Sequence, residues 1–334
     1  MHDPSGSASF TGFVDLASEL VGGTTLAATD DFFAAKENLI KPGPAVFDAD
    51  RYTDLGKWMD GWESRRKRVP GHDHCVIRLG LAGIIHGVDI DTSHFLGNHP
   101  PYASLQGAGF SGDRSALPEE DEWEELLPRS PLAPGSHNLF PVLNTGRWTH
   151  VRLHIFPDGG VARLRVYGTV VPDWSRAASG DVLDLASVVN GGAVVAASDM
   201  FFGSKENLIM PHVARDMRDG WETRRRRGPG YDWAIVKLGR PGRVRSIEVD
   251  TKHFKGNYPD QCSIDACHAP NAGIDGLSWT QHAWQPLMPK TKLAADTNHR
   301  FASELADLGP VSHLMLNIYP DGGVSRMRVL GVPE

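Results

Sequence analysis

Two short stretches concentrate residues able to do chemistry. Asp60-Gly-Trp-Glu63-Ser-Arg65-Arg66 sets two carboxylates and two guanidiniums around one indole, and Asp91-Thr-Ser-His94-Phe-Leu-Gly-Asn98 brings an imidazole and an amide close together. A guanidinium fork suits a carboxylate, while Asp or Glu accepts hydrogen bonds from amide or ureido N–H groups. Histidine exchanges a proton near neutral pH. Together these residues can hold and process a small polar acid. The plainer alternatives are an inter-strand ion-pair cluster over a core Trp and a turn-stabilising His/Asn pair.

Both stretches recur. Asp219-Gly-Trp-Glu222-Thr-Arg224-Arg225 and Asp250-Thr-Lys-His253-Phe-Lys-Gly-Asn257 follow the first pair at a constant offset of 159. Upstream, residues 15–40 match residues 184–209 at an offset of 169, with 16 identities in 26 positions, including Lys36-Glu37-Asn38 against Lys205-Glu206-Asn207. Residues 149–168 match residues 312–331 at an offset of 163, with 12 identities in 20. Four blocks in one order mean a tandem duplication, and a period of this size is a repeat of domains, since solenoid units run only ~20–50 residues. The division is expected near Pro172 to Ser179, giving repeats over 1–172 and 173–334. The double-Phe and polar-triplet segment reads as an aromatic anchor fixing a polar loop near each site, or as a structural cap.

The elements that must carry these groups read as strands. His150-Val-Arg152-Leu-His-Ile-Phe and Val161-Ala-Arg163-Leu-Arg165-Val-Tyr flank Pro157-Asp-Gly-Gly160 with period-two alternation, which predicts a β-hairpin with Arg163 and Arg165 on one face. "HCVIRLG", "GVDIDT", "WAIVKLG" and "SIEVDT" are further short strands closed by Gly, Pro or Asp. A short helix is expected at "EEDEWEELL" from Glu119, with a brief equivalent at "WTQHAWQPLM" from Trp279. The 36 Gly and 23 Pro at frequent turns indicate a mostly-β chain, a tandem pair of β-sandwich or jelly-roll domains. In the last block Arg152 faces Met315 and His154 faces Asn317, whereas His150 and His313, Arg163 and Arg326, and Arg165 and Arg328 persist. The first half is therefore the better equipped, and Arg152→Met is expected to be more damaging than Arg326→Met.

Composition narrows the partners. A net charge of -7 argues against a nucleic-acid backbone, and no apolar run approaches the ~18 residues of a spanning helix, so neither nucleic acid nor membrane is expected. Three cysteines cannot all pair, which with the unremarkable N-terminus favours a reducing, cytoplasmic setting. His72-Asp73-His74-Cys75 and Cys262-x4-Cys267-His268 match no zinc pattern, and adjacent strand residues point to opposite faces. Phosphate-loop, dinucleotide, zinc-protease and serine-esterase motifs are missing from the sequence.

The ordered set "DDFFAAKENLI", "DGWESRR", "DTSHFLGN" and "THVRLHIFPDGGVARLRVYG", each with its second copy, resembles the allantoicase family from about Phe13 to Gly331. The resemblance implies hydrolysis of allantoate to (S)-ureidoglycolate and urea, galactose-binding-like jelly-roll domains and a homo-oligomer. For such a substrate, Lys36, Glu37, Asn38, Arg65, Arg66, Asn98, Arg152, Arg163 and Arg165 are the candidate binding groups. His94, His150, Glu63 and Asp60 are the candidates for proton transfer. No cofactor is required in this reading; a divalent ion activating the water is the alternative, with the same His, Asp and Glu side chains as its ligands. A related ureido-acid hydrolase, or a non-catalytic carbohydrate or small-acid binding pair of sandwiches, would share the fold.

Overall fold

A computed structural model describes residues 9–110, 117–176, 178, 180–272 and 283–334. The chain divides into two compact units, Met1–Asp173 and Trp174–Glu334. In the first unit the strands are β1 (Val14–Asp15), β2 (Thr24–Ala28), β3 (Tyr52–Thr53), β4 (Gly56–Lys57), β5 (Trp62–Glu63) and β6 (Asp73–Asp91). They continue with β7 (Tyr102–Ala108), β8 (Glu124–Pro131), β9 (His137–Pro141), β10 (Arg147–Phe156), β11 (Gly160–Val161) and β12 (Arg163–Val170).

The unit is organised by β6. Its first half pairs with β2 and β10, and β10 pairs on through β7 to β8. Its second half pairs with β12 and β9, and β12 pairs with β1. One 19-residue strand thus serves both layers of a jelly roll, where the Gly-punctuated sequence suggested two separate strands. Val151, Leu153 and Ile155 on β10 are fully buried, each worth about 1.5–3 kcal/mol of apolar burial. The opposite face of β10 is covered as well, so His150, Arg152 and His154 are 1%, 7% and 9% exposed.

The second unit repeats this plan. Its strands are β13 (Leu183–Asp184), β14 (Ala193–Ala197), β15 (Trp221–Glu222), β16 (Asp232–Asp250) and β17 (Gln261–Cys267), then β18 (Gln285–Lys292), β19 (Asn298–Phe301), β20 (Val311–Tyr319), β21 (Gly323–Val324) and β22 (Arg326–Pro333). Strand order β13-β22-β16-β20-β17-β18 mirrors β1-β12-β6-β10-β7-β8.

Two expectations are corrected. The alternating strands around Pro157-Asp-Gly-Gly160 are not a hairpin, because β10 and β12 both bond to β6 and not to each other. The turn crosses between layers and gives β11 to β5 instead. At "EEDEWEELL" only Glu120–Glu122 is helical, a single 3-10 turn whose Glu122 carboxylate accepts the Glu119 N–H at 2.6 Å. The rest is β8, whose adjacent Leu126 and Leu127 are both buried, so pairing with β7 overrides helix propensity. The counterpart from Trp279 begins outside the described residues and enters β18 at Gln285.

Candidate active site

Glu63 is where the repeated motifs meet. Its backbone pairs with Gly160 of β11 on one side, and on the other it exchanges hydrogen bonds with Ala34, donating at 3.0 Å and accepting at 3.3 Å. Trp62 beside it is fully buried and donates its indole N–H to the Asp30 carbonyl at 2.8 Å. Asn38 ties the Lys36–Ile40 turn to the Gly61 carbonyl at 2.9 Å. Thus Asp30 to Ile40 is a brace for the Glu63 strand. Phe32 and Phe33 are 44% and 38% exposed, so they are not the anchor expected; Leu39 and Ile40 are buried in that role.

Asn98 arrives from the turn after β6. There Asp91 accepts the Ser93 N–H at 2.8 Å, Phe95 N–H bonds to the Thr92 carbonyl, and His94 takes φ 71°, an unusual conformation for a residue with a side chain. Gly160 donates to the Asn98 carbonyl at 2.8 Å while its backbone holds Glu63. A Cβ on Gly160 would stand 1.9 Å from the buried Phe95 ring, so this crossing requires glycine. The Asn98 amide then donates to Glu63 Oε1 at 2.6 Å.

A cleft of ≈ 530 Å³ opens over this pair, lined among others by Phe33, Phe47, Lys57, Glu63, His94 and Asn98. Burial raises the Glu63 pKa, partly opposed by the Asn98 hydrogen bond. His94 stacks on Phe47 at 5.5 Å and donates from Nε2 to the Ala45 carbonyl at 3.2 Å, which leaves Nδ1 as its lone-pair nitrogen. Lys57 lies over the Phe47 and Tyr52 rings at 5.0 and 4.9 Å. Phe47, Leu55 and Lys57 lie in residues 41–59, a segment that an insertion makes ten residues (169 - 159) longer than its counterpart 210–218 between the polar triplet and the Trp motif. Sequence comparison of the halves located that insertion but not its role as a wall.

The second unit keeps the same core. Asn257 donates to Glu222 Oε1 at 2.5 Å, Gly323 donates to the Asn257 carbonyl at 2.8 Å, and His253 repeats φ 71° with Nε2 on the Ala214 carbonyl at 2.9 Å. Asn207 donates to the Gly220 carbonyl at 3.0 Å.

Other expected site residues stand elsewhere. Asp60 is not poised for proton transfer: burial alone would raise its pKa, but the Arg163 hydrogen bond and charge and the Val46 N–H outweigh it and hold it low. Arg163, 2% exposed, bonds to the Asp60 carboxylate at 2.6 Å and to the Asp60 and Ala162 carbonyls, so it clamps a loop and does not reach the cleft. Arg326 does the same for the His212 carbonyl and Asp219. Arg165 caps the Lys41 carbonyl at 2.6 Å and Arg328 the Met210 carbonyl at 2.6 Å. Arg165 also lines a second, ≈ 350 Å³ cleft with Asp89 and His137, a 2.6 Å pair not anticipated from sequence.

Arg65 pairs with Asp30 at 2.7 Å over Phe32, and Arg224 with Asp199 at 3.0 Å over Phe201. Arg66 and Arg225 are exposed outside the cleft. Lys36 pairs with Glu37 at 2.7 Å, as Lys205 does with Glu206. His150 and His313 are buried against the Thr149 and Ser312 hydroxyls, too enclosed for a substrate. Arg152 bonds to Glu120 and Gln106 on the covered face of β10. All three cysteines are free and buried, and among the described residues no helix is long and apolar enough to cross a membrane.

The allantoicase-repeat family model matches twice, at residues 14–171 and 183–334. The chain belongs to the allantoicase family. A protein named probable allantoicase 2 from Burkholderia pseudomallei is 50% identical over 330 residues, covering 98% of this chain and 97% of that protein. A probable allantoicase from Photobacterium profundum is 50% identical over 322 residues, covering 96% and 97%. Among solved structures, that of allantoicase from Saccharomyces cerevisiae superposes with a TM-score of 0.82 at 35% identity, covering 99% of this chain and 98% of the yeast one. This allantoicase-family chain thus shares both the repeat and its tandem order across nearly its full length.

Proposed function

We propose that this chain hydrolyses allantoate to ureidoglycolate and urea, with the Glu63 cleft of the first unit as its active site. Family membership over the whole chain supports the reaction. The observation that supports the location is Glu63 held by Asn98 in a cleft whose wall the second repeat lacks.

Allantoate carries one carboxylate and two ureido groups on a single carbon. Lys57, whose ammonium also donates to the Ala49 carbonyl and lies over the Phe47 ring, supplies the positive charge for the carboxylate. Hydrolysis breaks one bond between the central carbon and a ureido nitrogen and forms one to a water oxygen, so a proton must pass from water to the departing nitrogen. Glu63 takes that proton as a carboxylate and returns it to the leaving urea. Its raised pKa makes it a stronger base than an exposed Glu, and Asn98 aims its oxygen. His94 Nδ1 accepts an N–H of the ureido group that stays.

The test is to incubate purified protein with allantoate and assay urea and ureidoglycolate separately. Equimolar products are expected, with Lys57→Met raising KM by about tenfold or more through loss of a charge-assisted contact. Saturable binding without either product would overturn the reading in favour of a binding protein.

A further inference from the structure

We propose that the first unit binds a divalent transition-metal ion through His72, His74 and His154, a site separate from the Glu63 cleft and missing from the second unit. Each of these three residues offers a ring nitrogen, and the nitrogens all lie within 4.8 Å of one another. Alternation on β6 separates His74 from Asp73 and Cys75, and His72, one residue before the strand, meets His154 with Nε2 2.9 Å from its Nδ1. His154 stands directly opposite His74 in the pairing of β10 with β6. The sequence argument against a metal at His72 to Cys75 therefore removes Asp73 and Cys75 and leaves the two histidines.

The tautomer is set by a neighbour. Arg152 Nε–H can only donate, and it does so to Gln106 at 2.8 Å, so the accepting atom is the Gln106 amide oxygen. The same oxygen lies 2.7 Å from His154 Nε2, which must then carry hydrogen. His154 Nδ1 is left with its lone pair and accepts a hydrogen bond from His72 Nε2, 2.9 Å away, so a bound cation would take the place of that hydrogen. A ligating histidine whose second nitrogen is fixed by an outer acceptor is the usual arrangement at metal sites. Three imidazoles with one outward position suit a borderline cation such as Zn2+, Co2+ or Ni2+ better than Mg2+ or Ca2+.

Two of the three neighbouring cations are paired with carboxylates. Arg152 is held by both oxygens of Glu120 at 2.7 and 2.9 Å, and Lys67 by Asp73 at 2.7 Å; Arg129 lies over the Tyr102 and Phe156 rings. In the second unit the three histidines are replaced by Tyr231, Trp233 and Asn317, and Gln106 and Arg152 by Asp265 and Met315. Asn317 is there engaged with Asp265 at 2.8 Å.

Chelator-treated full-length protein would be titrated with Co2+, following visible absorbance and bound metal per chain, for wild type, His72→Tyr and His154→Asn. Both variants install the residue that the second unit already carries, and His72 is exposed, so far-ultraviolet circular dichroism should be unchanged for at least that one. One Co2+ per chain is expected, weakened at least about tenfold in each folded variant, with Gln106→Leu also weaker by about tenfold or more. Absence of Co2+ binding by wild type, or binding that His72→Tyr leaves intact, would overturn the site whatever the outcome of the allantoate assay.

Discussion

At the scale of single residues, Glu63 and Asp60 show how environment separates two carboxylates three positions apart. Asp60 is neutralised by a buried guanidinium, whereas Glu63 meets only an amide and burial raises its pKa. Catalysis by the Glu63 carboxylate is lost as pH falls through its pKa, so the acid limb of kcat/KM should sit above that of an exposed Glu. Removing the Asn98 hydrogen bond removes the opposing influence, so Asn98→Ala should move that limb to higher pH; a limb unmoved or shifted down would contradict the role of Glu63. The residue types at the site were readable from the sequence, as Glu63, His94 and Asn98 stand in the two motifs first singled out. Which arginines were available was not. Arg163 and Arg326 look like ligands for a carboxylate until the loops they clamp are placed. Arg326→Met should therefore lower stability by about 3–5 kcal/mol in urea unfolding, as expected for breaking a buried pair, and any loss of activity would follow from that.

At the scale of elements, the Pro-Asp-Gly-Gly turn does more than connect strands. Gly160 pairs with Glu63 and donates to Asn98, so one residue sets the distance between both partners of the site. Gly160→Ala would drive a Cβ into the Phe95 ring, and overpacking of this kind costs about 1–3 kcal/mol. Activity should fall further for Gly160→Ala than for the matched Gly323→Ala, at similar loss of melting temperature; equal activities would argue against the first-unit cleft. Alternation made the strands legible, but not their partners. A hairpin and a crossover have the same local pattern, and only pairing with β6, over sixty residues earlier, distinguishes them. His154 escaped notice beside His72 and His74 for the same reason.

At the scale of the molecule, duplication made the tandem jelly-roll architecture legible almost at once, because each block could be read against its copy. The differences it offered, Arg152 and His154, lie on the covered face of β10 away from the cleft and do not decide which copy works, and the Glu, Asn and His geometry is kept in both. The distinction lies in what is unequal: the longer 41–59 segment, whose Phe47 and Lys57 wall the cleft over Glu63. The most direct measurement is urea release from allantoate by Glu63→Gln and Glu222→Gln, each verified as folded. Loss of about 10²–10⁴-fold in kcat for Glu63→Gln, with Glu222→Gln within a few-fold of wild type, is the predicted result. Equal losses, or a larger loss for Glu222→Gln, would contradict the assignment of catalysis to the first unit.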